Sequence, residues 1–586
     1  MRLFSFVMAL LLGLASAQAA SAHDRKDLGN DGFWSDWSDA TFERAAKEKK
    51  FVIVSLQSWW CPWCHAMNRD TWSNTDVRAV LKDHFIPVYV DQDSRPDVSQ
   101  RYDRWGWPAT IIFGPDGQEI VKLRGFYSPK FLIPVLQETI KDPSPVDYGK
   151  FGGPERERTL ANGITDAQRT ELLAFLDKAY DRANGGWSKS KFVDQPTLDW
   201  FLDRALMERK GDGDAEATTR IRRTLTAQIA LIDPKTGGIS QVSLKPDWSK
   251  PSLEFPMFAQ EAALEAYARA SVQFNDPAYR QAADHIYGFL KNTMAAPNGG
   301  FYVSMGMADS EPGVDKRQYA RETGQAIQGL AAYYNATGTK DALALAIRAA
   351  EWAQKERSLP GGGFRHTKKD AAGPYLADNI EMAAALLALH RSTGDRKWLT
   401  AATSTADFIA RTFIDPKTGG FFASASPDAK NLPKPIKQRE DNVTATRFFT
   451  LLSFYTGQKH YREIAEAGMG YLASPPVMDA YAFLPDVLLA EQELRNEPVH
   501  VTVVGPKDDP RSAALYAAAL AYPLDFKRAE WWDKREGKLT NADVDYPDYP
   551  DGPAAFACTR NYCSLPVTDA AAIPAQIDRL QRALSK

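Results

Sequence analysis

One loop type recurs five times in the middle of the chain, and this repeat constrains the fold more than any other feature. Each copy is a glycine pair followed by an apolar residue, at 184–187, 236–239, 298–301, 361–364 and 418–421. The apolar positions lie 52, 62, 63 and 57 residues apart. A period of about 60 residues is typical of stacked structural units.

Each interval holds two stretches with Ala and Leu at helical spacing, for example 318–335 followed by 341–354. We therefore predict about twelve helices in six pairs over 165–493, with 474–476 as the loop of the last pair. Six helical hairpins can close into an (α/α)6 toroid, in which the second helix of each pair lines a central funnel.

A ligand in this funnel would contact polar residues at the starts of the inner helices. These residues are Gln260, Glu261, Arg321, Glu322, Asp378, Glu381, Glu440, Asp441 and Asn442. Enzymes that act on sugars use one protonated and one ionised carboxyl group, so the candidate funnel site consists of Glu261, Glu322, Asp378, Glu381 and Asp441. Acids also occur on ordinary solvated helix starts, and binding without catalysis stays an alternative.

A second motif, Cys61-Pro62-Trp63-Cys64, follows the apolar run 51–54 and opens a predicted helix. Two thiols at a strand-to-helix junction suit thiol–disulfide exchange, because the free amides of a helix start stabilise a thiolate. We expect Cys61, nearer solvent, to attack a partner disulfide and Cys64 to resolve the mixed disulfide. A structural disulfide and half of a zinc site are the alternatives.

The segments that follow this motif have the order of a thioredoxin fold. The patterns predict a strand at 85–91, a helix at 98–105, a strand at 107–113, a turn at 114–117, a strand at 119–123 and a helix at 129–140. Pro108 is the expected cis-proline beside the attacking sulfur. We assign this thioredoxin-like domain to residues 23–150.

The amino terminus has the pattern of a secretory signal peptide. Arg2 gives a basic start, 3–15 is apolar, and small residues at 17–19 or 20–22 form a cleavage site. We assign 1–22 to this peptide and expect a soluble periplasmic or secreted protein, with all four cysteines in an oxidising compartment and no membrane span after cleavage. An uncleaved anchor is the alternative.

Charge and composition exclude some classes of partner. The net charge of −3 gives no field for polyanions, so we do not expect nucleic acid as a partner. Aromatic residues make up 11% of the chain, a content that suits sugar-stacking surfaces as well as cores. No cofactor and no metal ion is predicted.

The pattern changes again after Pro498. A strand at 499–505, a helix at 511–521 and a strand at 554–557 predict a small α/β domain at 498–586, behind a toroid at 151–497. Cys558 and Cys563 flank a loop short enough to close as a structural disulfide, with a second redox pair as the alternative.

Together these motifs resemble a known family along nearly the whole mature chain. The matching segments are 61–67, 185–187, 237–239, 299–302 with 308–311, 419–422 and 558–569. The chain is similar to the family that combines a thioredoxin domain with a six-hairpin toroid and includes spermatogenesis-associated protein 20 and bacterial homologues. The resemblance implies a thioredoxin-like fold and kinship with sugar-processing toroids, without a defined substrate.

Two segments depart from the pattern of that family. The family has His-Phe-Glu-Lys-Met after the second Gly-Gly loop, where this chain has Glu-Phe-Pro-Met-Phe at 254–258. Its Trp-Asn-Gly segment in the next inner helix is replaced here by Arg-Glu-Thr-Gly at 321–324. The funnel residues of the family are therefore not transferred to this chain.

The sequence thus predicts a periplasmic or secreted thiol–disulfide oxidoreductase. Cys61 and Cys64 would be catalytic, Pro108 would shape the groove for a protein thiol or disulfide partner, and the toroid would hold that client or a carbohydrate. One alternative is a carbohydrate-active enzyme, a hydrolase or epimerase, whose thioredoxin-like domain is structural. The other is a binding scaffold without catalysis.

Overall fold

The structure is a computed structural model that describes residues 32–148, 163–208, 216–308, 311–368, 370, 373–425, 432–479, 481, 483–544, 546, 552–559 and 562–584. The predicted signal peptide at 1–22 and the predicted domain boundary at 150 lie outside these residues. Within the described part of the chain, no helix has the length and apolar character needed to cross a bilayer.

The secondary structure consists of twenty α-helices and twelve strands among the described residues. The helices are α1 (Asp39–Glu48), α2 (Pro62–Met67), α3 (Thr75–His84), α4 (Pro96–Ser99), α5 (Pro129–Lys141), α6 (Asp166–Ala179), α7 (Gln195–Glu208), α8 (Glu216–Gln228), α9 (Met257–Phe274), α10 (Pro277–Phe289), α11 (Ala320–Thr337), α12 (Lys340–Glu356), α13 (Leu376–Thr393), α14 (Arg396–Phe413), α15 (Arg439–Thr456), α16 (Lys459–Leu472), α17 (Pro475–Met478), α18 (Pro485–Arg495), α19 (Pro510–Ala521) and α20 (Ile573–Leu584). The strands are β1 (Phe51–Gln57), β2 (Phe85–Asp91), β3 (Ala109–Phe113), β4 (Glu119–Arg124), β5 (Lys191–Phe192), β6 (Val242–Ser243), β7 (Glu254–Pro256), β8 (Ser304–Ala308), β9 (Glu311–Asp315), β10 (Val499–Val504), β11 (Lys527–Trp532) and β12 (Ala554–Cys558). The predicted order of an α/β unit, a helical toroid and a small α/β unit is confirmed.

Six inner helices form a closed ring. In ring order they are α7, α9, α11, α13, α15 and α18, and α18 packs against α7 to close the circle. Helix α11 approaches both neighbours closely because two of its residues are glycines. A Cβ atom on Gly324 would lie 2.7 Å from the backbone carbon of Glu381, and one on Gly329 would lie 3.2 Å from Cα of Glu261.

The repeated Gly-Gly loops join each outer helix to its inner partner, as the repeat predicts. Each loop closes on itself through a short β-bridge, and in the first loop the amide of Asp181 donates to the carbonyl of Gly186 at 2.8 Å. The glycines are required by the backbone: Gly237 has a φ of 81°, and a Cβ there would lie 2.6 Å from the carbonyl oxygen of His285.

Amide side chains at the starts of the inner helices hold these loops. Gln260 donates to the carbonyl of Ile239 at 2.7 Å and accepts from its amide at 2.9 Å. Asn442 bonds the backbone of Phe421 in the same way, at 3.0 and 2.7 Å. Gln260 and Asn442 therefore fix loops, and their side chains do not face a funnel ligand.

The amino-terminal unit has a four-stranded sheet in the order β2-β1-β3-β4. Strand β1 runs parallel to β2 and antiparallel to β3, and β3 runs antiparallel to β4. Helix α2 follows β1, and the Trp107–Pro108 peptide at the start of β3 is cis. This is the arrangement that the sequence predicts for a thioredoxin-like domain.

The carboxyl-terminal unit repeats this topology without the fourth strand. Its sheet has the order β11-β10-β12, with β10 parallel to β11 and antiparallel to β12, and α19 connects β10 to β11. Residues 563–567 run along β12 where β4 would lie, through bridges between Cys558 and Cys563 and between Ala555 and Val567.

The two units also agree in register. Leu56 pairs with Ala109, which follows Pro108, and Val504 pairs with Ala554, which follows Pro553. Five residues beyond Leu56 and Val504, the chain reaches the residues that cap α2 and α19. These are Cys61, at φ −88° and ψ 110°, and Asp509, at φ −86° and ψ 121°. The second unit is thus thioredoxin-like in topology and has an aspartate at the position of the leading cysteine.

Candidate functional site

The thioredoxin-like unit closes the end of the ring where the inner helices α11, α13 and α15 begin. Several of its contacts come from the end of β2 and the segment that follows. Gln100 Nε2 donates to Asp441 at 3.1 Å, and the carbonyl of Asp93 lies 2.7 Å from Nε2 of His366. Asp91 forms an ion pair of 2.7 Å with Arg317, just before α11. We call this end of the ring the amino mouth.

Three of the predicted acids lie in one layer inside the amino mouth. Glu261 accepts a hydrogen bond from Gln195 at 3.1 Å, and Glu381 accepts one from Gln328 at 2.8 Å. Asp441, which is almost fully buried, accepts the bond from Gln100. We call Glu261, Glu381 and Asp441 the acid layer.

Burial controls the protonation of the acid layer. It raises the pKa of Glu261 well above the usual range, and the neighbouring Glu381 and Glu265 carboxyls raise it further. Burial also raises the pKa of Asp441 to about 7, against the opposing effect of the Arg321 guanidinium. The pKa of Glu381 is raised for the same reason, and Arg321 again opposes the shift. Within the acid layer, Glu261 therefore has no cationic partner among the described residues, whereas Glu381 and Asp441 lie beside Arg321.

Two polar atoms near the acid layer have no hydrogen-bond partner among the described residues. They are Nε of Arg321 and Oε2 of Glu322, both buried. Burying such groups without a partner costs roughly 1–3 kcal/mol each. Buried donors and acceptors without a partner are typical of a site where a polar ligand supplies the missing hydrogen bonds.

Asp378 belongs to a different arrangement from Glu381, although the two are three residues apart. Its fully buried carboxylate accepts from the amide of Arg321 at 2.9 Å and lies 2.9 Å from Nδ1 of His366. Although burial opposes protonation of His366, the Asp378 carboxylate raises its pKa. Since both ring nitrogens of His366 face oxygen atoms, this pair joins the toroid to the thioredoxin-like unit and holds Asp378 in place.

The carboxyl-terminal unit closes the opposite end of the ring, which we call the carboxyl mouth. Asp525 accepts from Nη2 of Arg447 at 2.9 Å, and its carbonyl accepts from Arg391 at the same distance. Arg269 bonds Asp199 at 2.7 Å and also Asp203. These groups form a buried network of arginines and acids.

The sequence patterns at the helix starts do not predict this network. Glu265 lies one helical turn after Glu261, so continuing the helical period would have found it. Asp525 comes from a separate unit, so no local pattern connects it to the ring. Burial raises the pKa of Glu265 to about 8, whereas arginines led by Arg391 overcome burial and lower the pKa of Asp525 to about 2.

A cavity of about 120 Å³, which we call the chamber, lies between the two mouths. Gln195 and Gln328, which bond the acid layer, line it together with Glu265, Arg391 and the aromatic residues Phe448, Tyr455 and Phe526. Aromatic faces beside alternating donors and acceptors suit a small polyhydroxylated ligand.

One group of three carboxylates has its oxygens within 4.8 Å of one another, namely Asp199, Glu265 and Asp525. Arg269 lies 2.7 Å from Asp199 and 3.7 Å from Glu265, and Arg447 lies 2.9 Å from Asp525. Guanidinium groups therefore already balance these acids, and the donor set does not fit a metal ion.

The dithiol lies at the helix start that the sequence predicts. Cys61 caps α2, and the backbone amide of Cys64 donates to its sulfur at 3.2 Å. Both cysteines are free thiols, so the alternative of a structural disulfide between them is not observed. Burial, followed by the influence of Cys61, raises the pKa of Cys64 well above its usual range.

The expectation that Cys61 lies near solvent is wrong, because only 3% of this residue is exposed. The sulfurs lie in a cluster with Trp60 and Trp107. Strand β8 of the toroid packs against α2, and a Cβ on Gly306 would lie 2.9 Å from Cβ of Trp60. The toroid therefore covers the dithiol.

The other two cysteines lie far from this site. Cys558 and Cys563 form a disulfide with a sulfur–sulfur distance of 2.01 Å. It connects the end of β12 to the segment that runs along this strand.

Comparisons with known proteins agree with this architecture. The family described as "Protein of unknown function, DUF255" matches residues 15–133, and the family described as "Beta-L-arabinofuranosidase, GH127 catalytic domain" matches 253–466. Human spermatogenesis-associated protein 20 is 24% identical over 318 residues, which cover 48% of this chain and 39% of that protein; the mouse protein is 25% identical over 308 residues. The resemblance to this family is confirmed. The chain spans about two fifths of the length of these curated relatives.

Solved structures are similar over the toroid. Cellobiose 2-epimerase from Bacillus thermoamylovorans is 12% identical, with a TM-score of 0.45 over 52% of this chain and 86% of the epimerase. A family 76 glycoside hydrolase (mannosidase) from Bacteroides thetaiotaomicron is 12% identical, with a TM-score of 0.43 over 57% of this chain and 99% of the hydrolase.

Proposed function

We propose that this protein is a carbohydrate-active enzyme whose chemistry takes place in the central chamber of the toroid. The observation that carries the proposal is the acid layer. Glu261, Glu381 and Asp441 are desolvated and have raised pKa values, and the two glutamines that bond Glu261 and Glu381 line the chamber. Perturbed carboxyl groups at the base of a concave site are typical of general acid–base catalysis.

The surroundings of these acids assign their roles. Glu261 has no cationic partner among the described residues, and burial raises its pKa, which favours the protonated form that can donate a proton to a leaving oxygen. Glu381 and Asp441 lie under the influence of Arg321, which favours their ionised forms, so the two carboxylates together supply the base or nucleophile. This division is the one that glycoside chemistry requires.

The match to the GH127 family supports a catalytic role for the same part of the chain. It spans 253–466, which contains the helices α9, α11, α13 and α15 that carry the acid layer and Arg321. In this proposal the thioredoxin-like unit is mainly structural, closes the amino mouth and holds Asp441 through Gln100.

An assay in deuterium oxide tests the proposal. A panel of mono- and disaccharides is incubated with the protein and followed by NMR, which distinguishes hydrolysis of a glycosidic bond from exchange and inversion at a ring carbon. We expect turnover of at least one sugar, lowered roughly 100-fold or more by Glu261→Gln or Glu381→Gln. Glu351→Gln, an exposed acid on the outer helix α12, is the matched control and should retain full activity. No turnover of any sugar, or turnover that survives both substitutions, would contradict the proposal.

Thiol–disulfide exchange is the second candidate function, favoured by the cap position of Cys61 and the cis-proline Pro108 beside the dithiol. Its partner would be a protein thiol or disulfide that approaches after β8 moves away. In a Cys64→Ser variant the mixed disulfide cannot be resolved, so clients should accumulate on Cys61 as adducts visible by non-reducing electrophoresis. Absence of adducts, together with no measurable redox equilibrium in the wild type, would reject this function.

We also propose that the protein is exported, on the basis of the signal-peptide pattern at 1–22. Amino-terminal sequencing of the protein purified from its native host tests this, with cleavage expected after Ala19 or Ala22. An intact Met1 terminus would contradict it.

A further inference from the structure

The dithiol and the chamber are closed by the same face of the thioredoxin-like unit. Strands β1 and β2 are parallel neighbours, and Gln57 pairs with Asp91 at their carboxyl ends. The dithiol follows the end of β1, and the segment 92–100 follows the end of β2. Because the carboxyl ends of parallel strands meet at one edge of a sheet, both segments leave the unit in the same direction, towards the toroid.

Each segment covers a different buried group. The segment after β1 places Cys61 and Cys64 beneath β8. The segment after β2 places Gln100 on Asp441 and the carbonyl of Asp93 on His366. One unit of the chain therefore covers two sites.

The contacts that hold this face are largely polar. They include the ion pair between Asp91 and Arg317, which contains two hydrogen bonds from Arg317, and the bond from Gln100 to Asp441. Polar interfaces between units of one chain exchange readily with water, and relative motion is the default expectation for them. The interface also contains an unsatisfied acceptor, since Oδ2 of the nine-tenths buried Asp93 has no hydrogen-bond partner among the described residues and lies 3.9 Å from Arg317.

We propose that the thioredoxin-like unit is a movable lid, and that a single opening motion exposes the dithiol and the acid layer together. In the closed state Cys61 is 3% exposed and the amino mouth is covered, so a thiol reagent and a chamber ligand depend on the same opening equilibrium. A ligand that binds the closed chamber lowers the reactivity of Cys61, and a protein disulfide that captures Cys61 holds the chamber open.

This proposal rests on the proposed sugar chemistry only for the identity of the chamber ligand. The lid itself is independent of that chemistry, because thiol reactivity measures opening without any substrate. When closing is faster than modification, the rate of modification is the intrinsic rate multiplied by the fraction of open molecules.

Two thiol reporters test the lid in the full chain. The first is Cys61 in the otherwise natural protein. The second is the thiol introduced by Gln328→Cys next to Glu381, in a background that carries Cys61→Ser and Cys64→Ser. Both are treated with iodoacetamide, and the rate is followed by peptide mass spectrometry.

Two substitutions then weaken the contacts between the lid and the toroid. Arg317→Gln removes the ion pair to Asp91, and we expect both reporters to react roughly tenfold faster, the effect of losing a hydrogen bond to a charged group. Gln100→Ala removes a single bond to Asp441 and should accelerate both reporters by a smaller, equal factor. The second variant also keeps the test valid if Arg317→Gln does not fold.

Arg396→Ala is the matched control. Arg396 donates to the carbonyls of Glu536 and Gly537 at 2.8 and 2.9 Å, so its loss weakens the contact of the toroid with the other end unit instead. Neither reporter should respond to it. Acceleration of Cys61 without the chamber reporter, acceleration of neither, or an equal response to Arg396→Ala would overturn the shared lid.

A sugar found active in the NMR assay separates this proposal from the proposed function. If the sugar lowers the rate at which iodoacetamide modifies both reporters, the chamber ligand and the lid are linked as proposed. If lid variants accelerate both reporters while no sugar has any effect, the lid stands and the sugar site fails.

Discussion

The two α/β units of this protein share one topology and differ in what it carries. In both units a central strand has a parallel and an antiparallel neighbour, and a proline precedes the antiparallel neighbour. The helix cap lies five residues after Leu56 in the first unit and after Val504 in the second. The first unit has Cys61 as the helix cap, whereas the second has Asp509. The shared fold therefore does not by itself imply thiol chemistry.

What the two units have in common is their position at the ends of the toroid. The first contacts the starts of the inner helices through Gln100 and Asp93, and the second contacts their ends through Asp525. The first unit keeps its dithiol under the toroid, and the second has exchanged its fourth strand for a disulfide-linked segment. Closing the chamber is the role that both can perform.

The largest predicted difference between the two units concerns the strength of their attachment. Asp525→Ala removes one carboxylate partner of Arg447, which keeps Glu493 at 2.8 Å, and we expect a loss of about 2–3 kcal/mol in the free energy of unfolding. Gln100→Ala at the amino mouth removes one hydrogen bond and should cost about 1 kcal/mol. Urea denaturation of both variants measures the difference. Equal losses would show that the two ends are held alike.

The pH dependence of stability should have opposite signs at two acids, Asp441 at the amino mouth and Asp525 at the carboxyl mouth. The folded pKa of Asp441, about 7, lies above its ordinary value of 3.8, so its contribution is fully present below about pH 4 and is lost as the pH rises through 7. From pH 5 to 8 this loss is about 2–3 kcal/mol. Asp441→Asn should remove that part of the decline in urea unfolding curves.

Asp525 behaves in the reverse way. Its folded pKa, about 2, lies below 3.8, so its contribution is present above about pH 4 and is lost as the pH falls through 2. Asp525→Asn should therefore reduce the loss of stability that occurs when the pH falls towards 2. If Asp441→Asn leaves the slope between pH 5 and 8 intact, the assignment of this part of the decline to Asp441 is wrong.

The two cysteine pairs should differ in their effect on stability. The disulfide between Cys558 and Cys563 closes a short loop, and chain entropy gives it about 2 kcal/mol. Dithiothreitol should thus lower the unfolding temperature of the wild type. The same reagent should have no effect on a Cys558→Ser, Cys563→Ser variant, since Cys61 and Cys64 are already free thiols. A further decrease in that variant would show that the first pair is bonded in solution.

The smallest predicted effect concerns the helix cap that distinguishes the units. Asp509 accepts from the amide of Arg511 at 2.8 Å, so Asp509→Ala should lower the unfolding temperature by less than reduction of the disulfide does. Asp509→Ser keeps an acceptor and should be nearly neutral. A large loss in the serine variant would indicate a role for Asp509 beyond capping.

The toroid could be predicted from sequence because its Gly-Gly loops recur at a regular interval. Backbone turns with positive φ require glycine, as at Gly237, and they recur once per helix pair whatever the helix sequences are. Cys61 at a helix start and Pro108 before β3 could be predicted for the same reason, since strand, turn and helix are local patterns.

The features that could not be predicted depend on contacts between distant segments. Burial of Cys61 is caused by β8, more than 200 residues later in the chain. Asp525 enters the chamber from another unit. The second thioredoxin-like unit lacks the dithiol by which the first is recognised, so strand pairing and register were needed to find it.

The most direct test of the central claim compares two variants on one sugar substrate. Asp441→Asn alters the acid layer, and the double substitution Cys61→Ser, Cys64→Ser removes the dithiol. If the chamber performs the chemistry and the amino-terminal unit serves to close it, the rate of sugar turnover falls roughly 100-fold or more in the first variant and stays within about twofold of the wild type in the second. Turnover that depends on the cysteines and survives Asp441→Asn would contradict the account.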